Sequence, residues 1–137
     1  GQIVLSRPLD RKRIYPPIDV FLSLSRMMKE GIGEGKTRED HNNVFMQSYA
    51  MYAEGNYLRE MSTVIGSEAL TDRDKLYLSA ADRFEKEFIS QDENSRRTVE
   101  ETLGIAWNIF SMLPQEDLKL INEKYIKKYH PSVSGGE

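Results

Sequence analysis

The chain has no cysteine. That excludes disulfides and thiolate metal sites, and it suits a reducing compartment. Histidine is almost as scarce: only His41 and His130 occur. They lie far apart, and neither has a second ligand type at metal spacing. No Gly-x-Ser-x-Gly elbow is present, and no serine has a histidine partner suggested by spacing. No apolar run approaches the roughly 18 residues of a membrane span. Ile3-Val4-Leu5 is far too short for the apolar core of a signal peptide, so neither leader nor membrane insertion is expected. Neither sign of charge dominates. The formal net charge is −3 over 137 residues. The basic run Arg11-Lys12-Arg13 is better explained as a solvated loop than as a nucleic-acid patch.

What is present is ordinary for a soluble helical domain: 30% charged and 39% hydrophobic residues. The length allows one domain with a real core, or one domain with an appendage. Residues 2–6 are β-prone and predict a short strand. Pro8, Pro16 and Pro17 deny helix through about residue 17. A short helix over 21–30 is ended by Gly31, Gly33 and Gly35. Three later helix starts share one device. Thr37, Thr71 and Thr98 are followed at capping-box spacing by Asp40, Asp74 and Glu101.

The helical periodicity then predicts a helix over 38–54, with Phe45, Tyr49 and Tyr52 on one face. Gly55 interrupts it, 56–65 continues, and Gly66 closes it. A helix over 72–90 carries Leu76, Ala80, Phe84 and Phe88 as an apolar stripe, widened by Tyr77 and Ala81. A helix over 99–112 buries Leu103, Trp107 and Phe110. Pro114 permits a last helix carrying Leu118, Ile121 and Tyr125, with Lys127 and Lys128 at its negative end and Pro131 stopping it. The expected fold is mainly α: an antiparallel helical bundle preceded by an extended arm with a short β-strand. The expected division is an arm and hinge over 1–36, the bundle over 37–131 and a disordered tail over 132–137. Opening mid-strand, the chain has the look of an excised fragment, with Ile3-Val4-Leu5 an exposed edge prone to self-association.

Gly35-Lys36-Thr37 looks like a phosphate-binding loop. The pattern G-x-x-x-x-G-K-[S/T] needs glycine at position 30, where Glu30 stands. Such a loop must also follow a buried strand, and residues 22–30 do not make one. A glycine-rich hinge is the simpler account. Paired acids such as Glu100-Glu101 and Glu116-Asp117 fall in helix first turns, where the helix dipole explains them. The six methionines could make an adaptable face, but filling gaps in the core is the plainer role.

The segment Ile14-Tyr15-Pro16-Pro17-Ile18-Asp19, with Ser23-Leu24-Ser25-Arg26 after it, resembles the end of the nucleotide-binding domain in rotary ATPase head subunits. The run from Gly31 to His41 resembles the next segment in the non-catalytic B subunit of archaeal (A-type) and vacuolar-type ATPases. The likeness continues through Tyr52-Ala53-Glu54-Gly55, Glu68-Ala69-Leu70, Glu100-Glu101-Thr102-Leu103 and Lys128-Tyr129-His130-Pro131, nearly the whole chain. The family subunit is several times longer, so the resemblance implies its C-terminal part.

The resemblance also implies roles. The arginine of the Ser-x-Ser-Arg element, Arg26 here, reaches the neighbouring catalytic A subunit and serves there as an arginine finger. A planar guanidinium suits the charge of a transferring phosphoryl group. Tyr15 matches a tyrosine that stacks on adenine in a related subunit. Residues 68–76 resemble the acidic rotor-facing loop Asp-Glu-Leu-Ser-Glu-Glu-Asp, which makes Glu68, Leu70, Thr71, Asp72 and Asp74 rotor-facing. Ala69 and Arg73 stand where that loop has acids, and Phe21-Leu22 where this branch commonly has Leu-Pro. The implied partners are the A subunit, in an alternating hexamer, and the central stalk, with no nucleic acid. The chain alone is expected to bind no cofactor; ATP or ADP with Mg belongs to the full complex. The implied location is cytoplasmic, peripheral to the cell membrane through that complex. The rival accounts are a free-standing helical interaction module with no nucleotide role and a small ATP-binding protein using Gly35-Lys36-Thr37.

Overall fold

The computed structural model describes residues 1–134. The elements are α1 (Arg7–Arg11), α2 (Met28–Gly31), α3 (His41–Ile65), α4 (Asp72–Arg83), a π-helical turn (Phe84–Ile89), α5 (Val99–Phe110), α6 (Glu123–Tyr129) and α7 (Pro131–Ser134), with single 3₁₀ turns at Ser67–Ala69 and Gln115–Asp117. The fold is mainly helical, and no helix among the described residues is long and apolar enough to cross a membrane.

The longest helix, α3, runs without a break where the sequence predicts an interruption at Gly55. The glycine serves packing instead. The helices α3 and α4 lie antiparallel, with Tyr52 meeting Phe84 at 4.9 Å between ring centroids. A Cβ on Gly55 would sit 2.4 Å from Ala81 Cβ and 3.0 Å from the Tyr77 carbonyl oxygen. Two backbones approach this closely only where one of them lacks a side chain.

The buried stripe of α4 is Tyr77, Ala80 and Ala81, continued by Phe84. Leu76, expected in that stripe, is 38% exposed. After Arg83 the helix widens into the π turn, which turns Phe84, Glu85 and Ile89 inward. Against both elements lies α5, with Leu103, Ala106, Trp107, Ile109 and Phe110 buried. Thr71 and Thr98 form complete capping boxes with Asp74 and Glu101.

The box expected at Thr37 does not form, because Asp40 is drawn into the core. Its carboxylate takes a fork from Arg38 at 2.6 and 2.8 Å and a bond from Trp107 Nε1 at 2.7 Å. The last long helix also starts later than Pro114 suggests. Leu120 N–H donates to Gln47 Oε1 at 3.1 Å and Asn122 N–H to Asn43 Oδ1 at 2.8 Å. Side chains of α3 thus take donors that a helix would need for itself, and α6 begins only after Asn122, which caps Lys124 N–H at 3.1 Å. Pro131 ends α6 but opens α7, where proline costs no helical hydrogen bond. Ser132, Val133 and Ser134, expected in a disordered tail, belong to that turn. The rest of the expected tail, 135–137, lies outside the described residues.

The arm folds back on itself. Gln2 pairs with Leu24 and Leu5 with Ile18 in isolated antiparallel bridges. No strand forms among the described residues, so the expected strand reduces to these two contacts. Pro8 lies inside α1, in a first turn whose N–H groups need no helical partner, with Ser6 capping Leu9 N–H at 3.3 Å. Leu9 and Ile14 are buried against the bundle, while Ile3, Leu5, Leu22, Leu24 and Met27 are exposed.

The Gly55 contact gives a test with a counter-intuitive sign. By helix propensity Gly55→Ala should stabilise α3 by about 1 kcal/mol. The collision with Ala81 should reverse that, for a net loss of about 1–2 kcal/mol. Urea unfolding should show the loss, and Ala81→Gly added to it should recover more than either single change predicts.

Candidate functional site

Arg26 sits in the turn ahead of α2. The backbone leading to it is held on both sides. Asp19 Oδ1 accepts from Phe21 N–H and Leu22 N–H, each at 3.0 Å. Ser23 Oγ accepts from Val4 N–H at 2.9 Å, and Leu24 exchanges bonds with Gln2 at 2.8 and 3.0 Å. Beyond this scaffold the Arg26 side chain is exposed, with no hydrogen bond or ion pair among the described residues. Tyr15 lies on the same arm and is 57% exposed. Its carbonyl accepts from Gln91 N–H at 2.6 Å, which ties the arm to the loop after the π turn. Phe21 stacks on Tyr52 at 5.0 Å and meets Tyr49 edge-on at 5.1 Å, so the arm is anchored on an aromatic face of α3.

A further tie between arm and bundle is Glu85, which the sequence reasoning missed. Its carboxylate is buried and accepts from Arg59 Nη1 and Nη2 at 2.9 Å each, from Tyr52 Oη at 2.6 Å and from Lys12 Nζ at 3.2 Å. Arg59 also pairs with Asp82 at 2.5 Å. Burial pushes the Glu85 carboxyl up; Arg59, Tyr52 and Lys12 outweigh it and hold it below its ordinary value of 4.5. The same burial and the same carboxylate push the Tyr52 phenol up. A signal for this group was present: Glu85 falls between Ala81 and Phe88 at helical spacing, and an acid on an apolar stripe demands partners.

The loop around Gly35-Lys36-Thr37 is closed on itself. Thr37 Oγ1 accepts from Gly33 N–H at 2.8 Å and contacts His41 Nδ1 at 3.0 Å. Lys36 Nζ donates to the Glu30 carbonyl. Helix α2, not a strand, precedes it. The Lys36 and Thr37 side chains and the N–H groups of Gly33, Lys36 and Thr37 are committed within the loop. Among the described residues no group of three or more His, Cys, Asp or Glu side chains could hold a metal ion.

The remaining predicted residues share the turn between α3 and α4. Glu68, Thr71 and Asp72 are exposed, Asp74 is half-buried and Leu70 is buried. Thr71 and Asp74 are engaged with each other in the cap of α4. Arg73 bonds Asp117 at 3.0 Å, as does Tyr77 Oη at 3.0 Å, and its guanidinium lies 4.6 Å from the Tyr77 ring centroid. It therefore ties α4 to the 3₁₀ turn at Gln115–Asp117. Val64 and Ile65, 80% and 51% exposed, extend this end of the bundle with an apolar edge. Among the described residues no hydrogen bond or ion pair links this turn to the arm that carries Tyr15 and Arg26.

With this geometry in hand, the chain can be set beside known proteins. Residues 30–130 match the family described as the C-terminal domain of V and A type ATP synthase. The chain belongs to that family. It is 58% identical over 135 residues to the B subunit of the A-type ATP synthase of Staphylothermus marinus, covering 98% of this chain and 29% of the relative. It is 57% identical over 136 residues to the B subunit of the A-type ATP synthase of Aeropyrum pernix, covering 99% of this chain and again 29% of the relative. The solved structure of an ATP synthase subunit, NeqB, from Nanoarcheaum equitans superposes with a TM-score of 0.75 at 39% identity, covering 83% of this chain and 28% of that one. The chain thus spans under a third of the length of the proteins it matches. The resemblance first seen in the sequence holds, and the mainly helical stretch over 30–130 is the part that matches the family's C-terminal domain.

The depressed Glu85 group predicts a pH dependence with a definite sign. A carboxylate held below its unfolded pKa contributes its full stability above that pKa and loses it as pH falls through the folded value. Glu85→Gln should cost about 3 kcal/mol near neutral pH by leaving Arg59 without its main counter-charge. The gap in urea midpoint between the variant and the native chain should be constant above pH ~5. It should close as pH falls below 4.5. A gap that does not change down to pH ~3 would show that Glu85 acts by shape and not by charge.

Proposed function

We propose that this chain is the C-terminal region of the non-catalytic B subunit of an archaeal-type rotary ATP synthase, with Arg26 acting in trans as an arginine finger on the neighbouring catalytic A subunit. The observation that carries this is the 57–58% identity to B subunits of A-type ATP synthases over nearly the whole chain. The geometry of Arg26 supports the role. It is a cation on a held turn, exposed and engaged with nothing among the described residues of its own chain. A guanidinium left free in this way can meet a phosphoryl group on another subunit at no cost in broken internal bonds. The exposed Tyr15 ring lies on the same arm and would touch adenine at the rim of the site. The chain supplies no phosphate cradle and makes no ATP alone. ATP or ADP with Mg is the substrate of the full complex, at a site that the A subunit completes. That complex couples turnover to proton or sodium transport, and the chain joins it at the cytoplasmic side of the cell membrane without entering the bilayer.

The turn bearing Glu68, Leu70, Thr71, Asp72 and Asp74 is proposed to face the central stalk. Its chemistry favours shape over charge. Asp74 is committed to the α4 cap, an arginine, Arg73, stands among the acids, and Val64 and Ile65 stand exposed beside them. Changing Glu68 and Asp72 together to alanine should therefore leave rotational coupling nearly intact in the assembled complex. A large fall in torque would show that those acids carry the contact.

Arg26→Lys tests the main claim. Arg26 supports nothing inside the chain, so thermal unfolding should be unchanged. In the assembled complex ATP turnover should fall by roughly 10³ or more, because lysine keeps the charge but loses the planar fork. The defect should lie in kcat more than in nucleotide affinity. Turnover near normal in a fully assembled Arg26→Lys complex would remove the catalytic role.

A further inference from the structure

A cavity of about 270 Å³ lies between the N-terminal half of α3, the π turn and the start of α5. Val44, Phe84, Phe88 and Leu103 make its apolar walls, and Val20 of the arm closes one side. The exposed rings of Phe45 and Tyr49 line its mouth. His41, Ser48, Arg97 and Thr102 interrupt the lining, and two of them carry buried polar atoms without a partner. Ser48 is 5% exposed, and its Oγ has no hydrogen-bond partner. A helical serine commonly bonds the carbonyl one turn back; Ser48 does not. Arg97 donates its terminal nitrogens to the carbonyls of Glu87 and Phe88, at 3.0 and 2.6 Å, and leaves its buried Nε–H unpartnered.

Buried donors without acceptors cost about 1–3 kcal/mol each, so two on one apolar cavity need a reason. The charge around them points the same way. Arg97 forms no ion pair among the described residues. The acids near it in sequence are engaged elsewhere: Glu101 caps Thr98 N–H at 2.8 Å, and Glu87 is forked by Arg83 at 3.0 and 2.9 Å. Burial draws the Arg97 pKa down against the pull of Glu101, as befits a cation short of acidic partners. The cavity thus has a hydrocarbon lining and, beside it, a guanidinium held by two carbonyls and the Phe88 ring, whose Nε–H, like the Ser48 hydroxyl, is buried without a partner. Among the described residues no acceptor meets either donor.

We propose that this cavity is a binding site for a small carboxylate with an apolar body. The acid group lies against Arg97 and takes the Nε–H. The Ser48 hydroxyl supplies a second polar contact, and the hydrocarbon packs on Val44, Phe84, Phe88 and Leu103. The occupant would bridge the arm, α3, the π turn and α5, all of which line the cavity.

The test uses 3-phenylpropionate and its neutral counterpart 3-phenyl-1-propanol as probes, in ¹H–¹⁵N NMR titrations of this chain and of the assembled complex. Saturable shifts at Ser48, Phe88, Arg97 Nε and Leu103 are expected with the acid, and binding of the alcohol should be about tenfold weaker or worse, since a charge-assisted bond is lost. Ser48→Ala should leave the urea midpoint unchanged or raised, because the hydroxyl has no internal partner, yet weaken the acid severalfold. Arg97→Gln should reduce the acid to the level of the alcohol. If that variant fails to fold, the acid-to-alcohol ratio in the native chain and the Ser48→Ala result decide. Equal affinity for acid and alcohol, absence of saturable shifts, or acid binding indifferent to Ser48→Ala and Arg97→Gln would each overturn the proposal. Binding that vanishes in the assembled complex would overturn it too, because a neighbouring subunit's side chain would then be the natural occupant.

Discussion

The Glu85 carboxylate, 3% exposed, is met by Lys12 from the arm and by Tyr52 and Arg59 from α3. Removing a charge from water costs several kcal/mol, and only a full set of short, well-directed donors returns it. That condition makes Glu85 a geometric constraint on several elements at once. The π turn must widen so that the acid faces inward. The polar face of α3 must present Arg59 beside it, and α1 must lie close enough for Lys12. Asp82 keeps Arg59 engaged from the solvent side. A displaced arm would strip one donor from a buried charge. The arm's position is therefore set by electrostatics as well as by the apolar contacts of Leu9, Ile14 and Phe21.

Asp40 repeats the logic at the other side of the bundle. Burial raises its carboxyl, and the Arg38 fork and Trp107 Nε1 bring it back below 3.8. Arg38 in turn lies 4.1 Å from the Tyr129 ring centroid, and Tyr129 Oη donates to Glu39 at 2.9 Å. One acid thus holds the start of α3, the middle of α5 and the end of α6 together. Each of the two nodes joins segments far apart in sequence, which short capping or periodic signals cannot do.

That distinction also decides what could be foreseen from the residues. Thr71 and Thr98 cap their helices as expected because every atom of a capping box lies within one turn. Thr37-x-x-Asp40 has the same spelling and fails, because Trp107, remote in sequence, takes Asp40 away. Leu103, Trp107 and Phe110 are core as their spacing predicts, and Ala80 and Phe84 likewise. Gly55 was expected to break a helix; what it does is admit Ala81, a partner from another element. The helix after Pro114 is delayed by Gln47 and Asn43, again from α3. Glu85 was overlooked because an acid in a helix looks solvated until its stripe neighbours Ala81 and Phe88 are counted. The family resemblance singled out Arg26 for a role and said nothing of the turn that carries it. Nothing in its own composition marks it, and the bridges that hold its turn join Gln2 and Leu5 to residues well beyond local range.

The contrast between the cations is itself informative. Arg38, Arg59 and Arg73 each lie against a carboxylate and join elements; Arg97 and Arg26 do not, among the described residues. Unpaired arginines differ in meaning by where they lie. An exposed one costs nothing, so the freedom of Arg26 is explained by solvent and becomes informative only with the ordered turn beneath it and the family to which the chain belongs. A half-buried one is costly, because neutral acceptors return only part of what its charge loses on leaving water. Arg97 is retained although two backbone carbonyls are its only acceptors among the described residues. The interior that holds it is otherwise careful to pair its charges. The imbalance at Arg97 and Ser48 is therefore local, and it falls on the apolar cavity wall that joins the arm to α5.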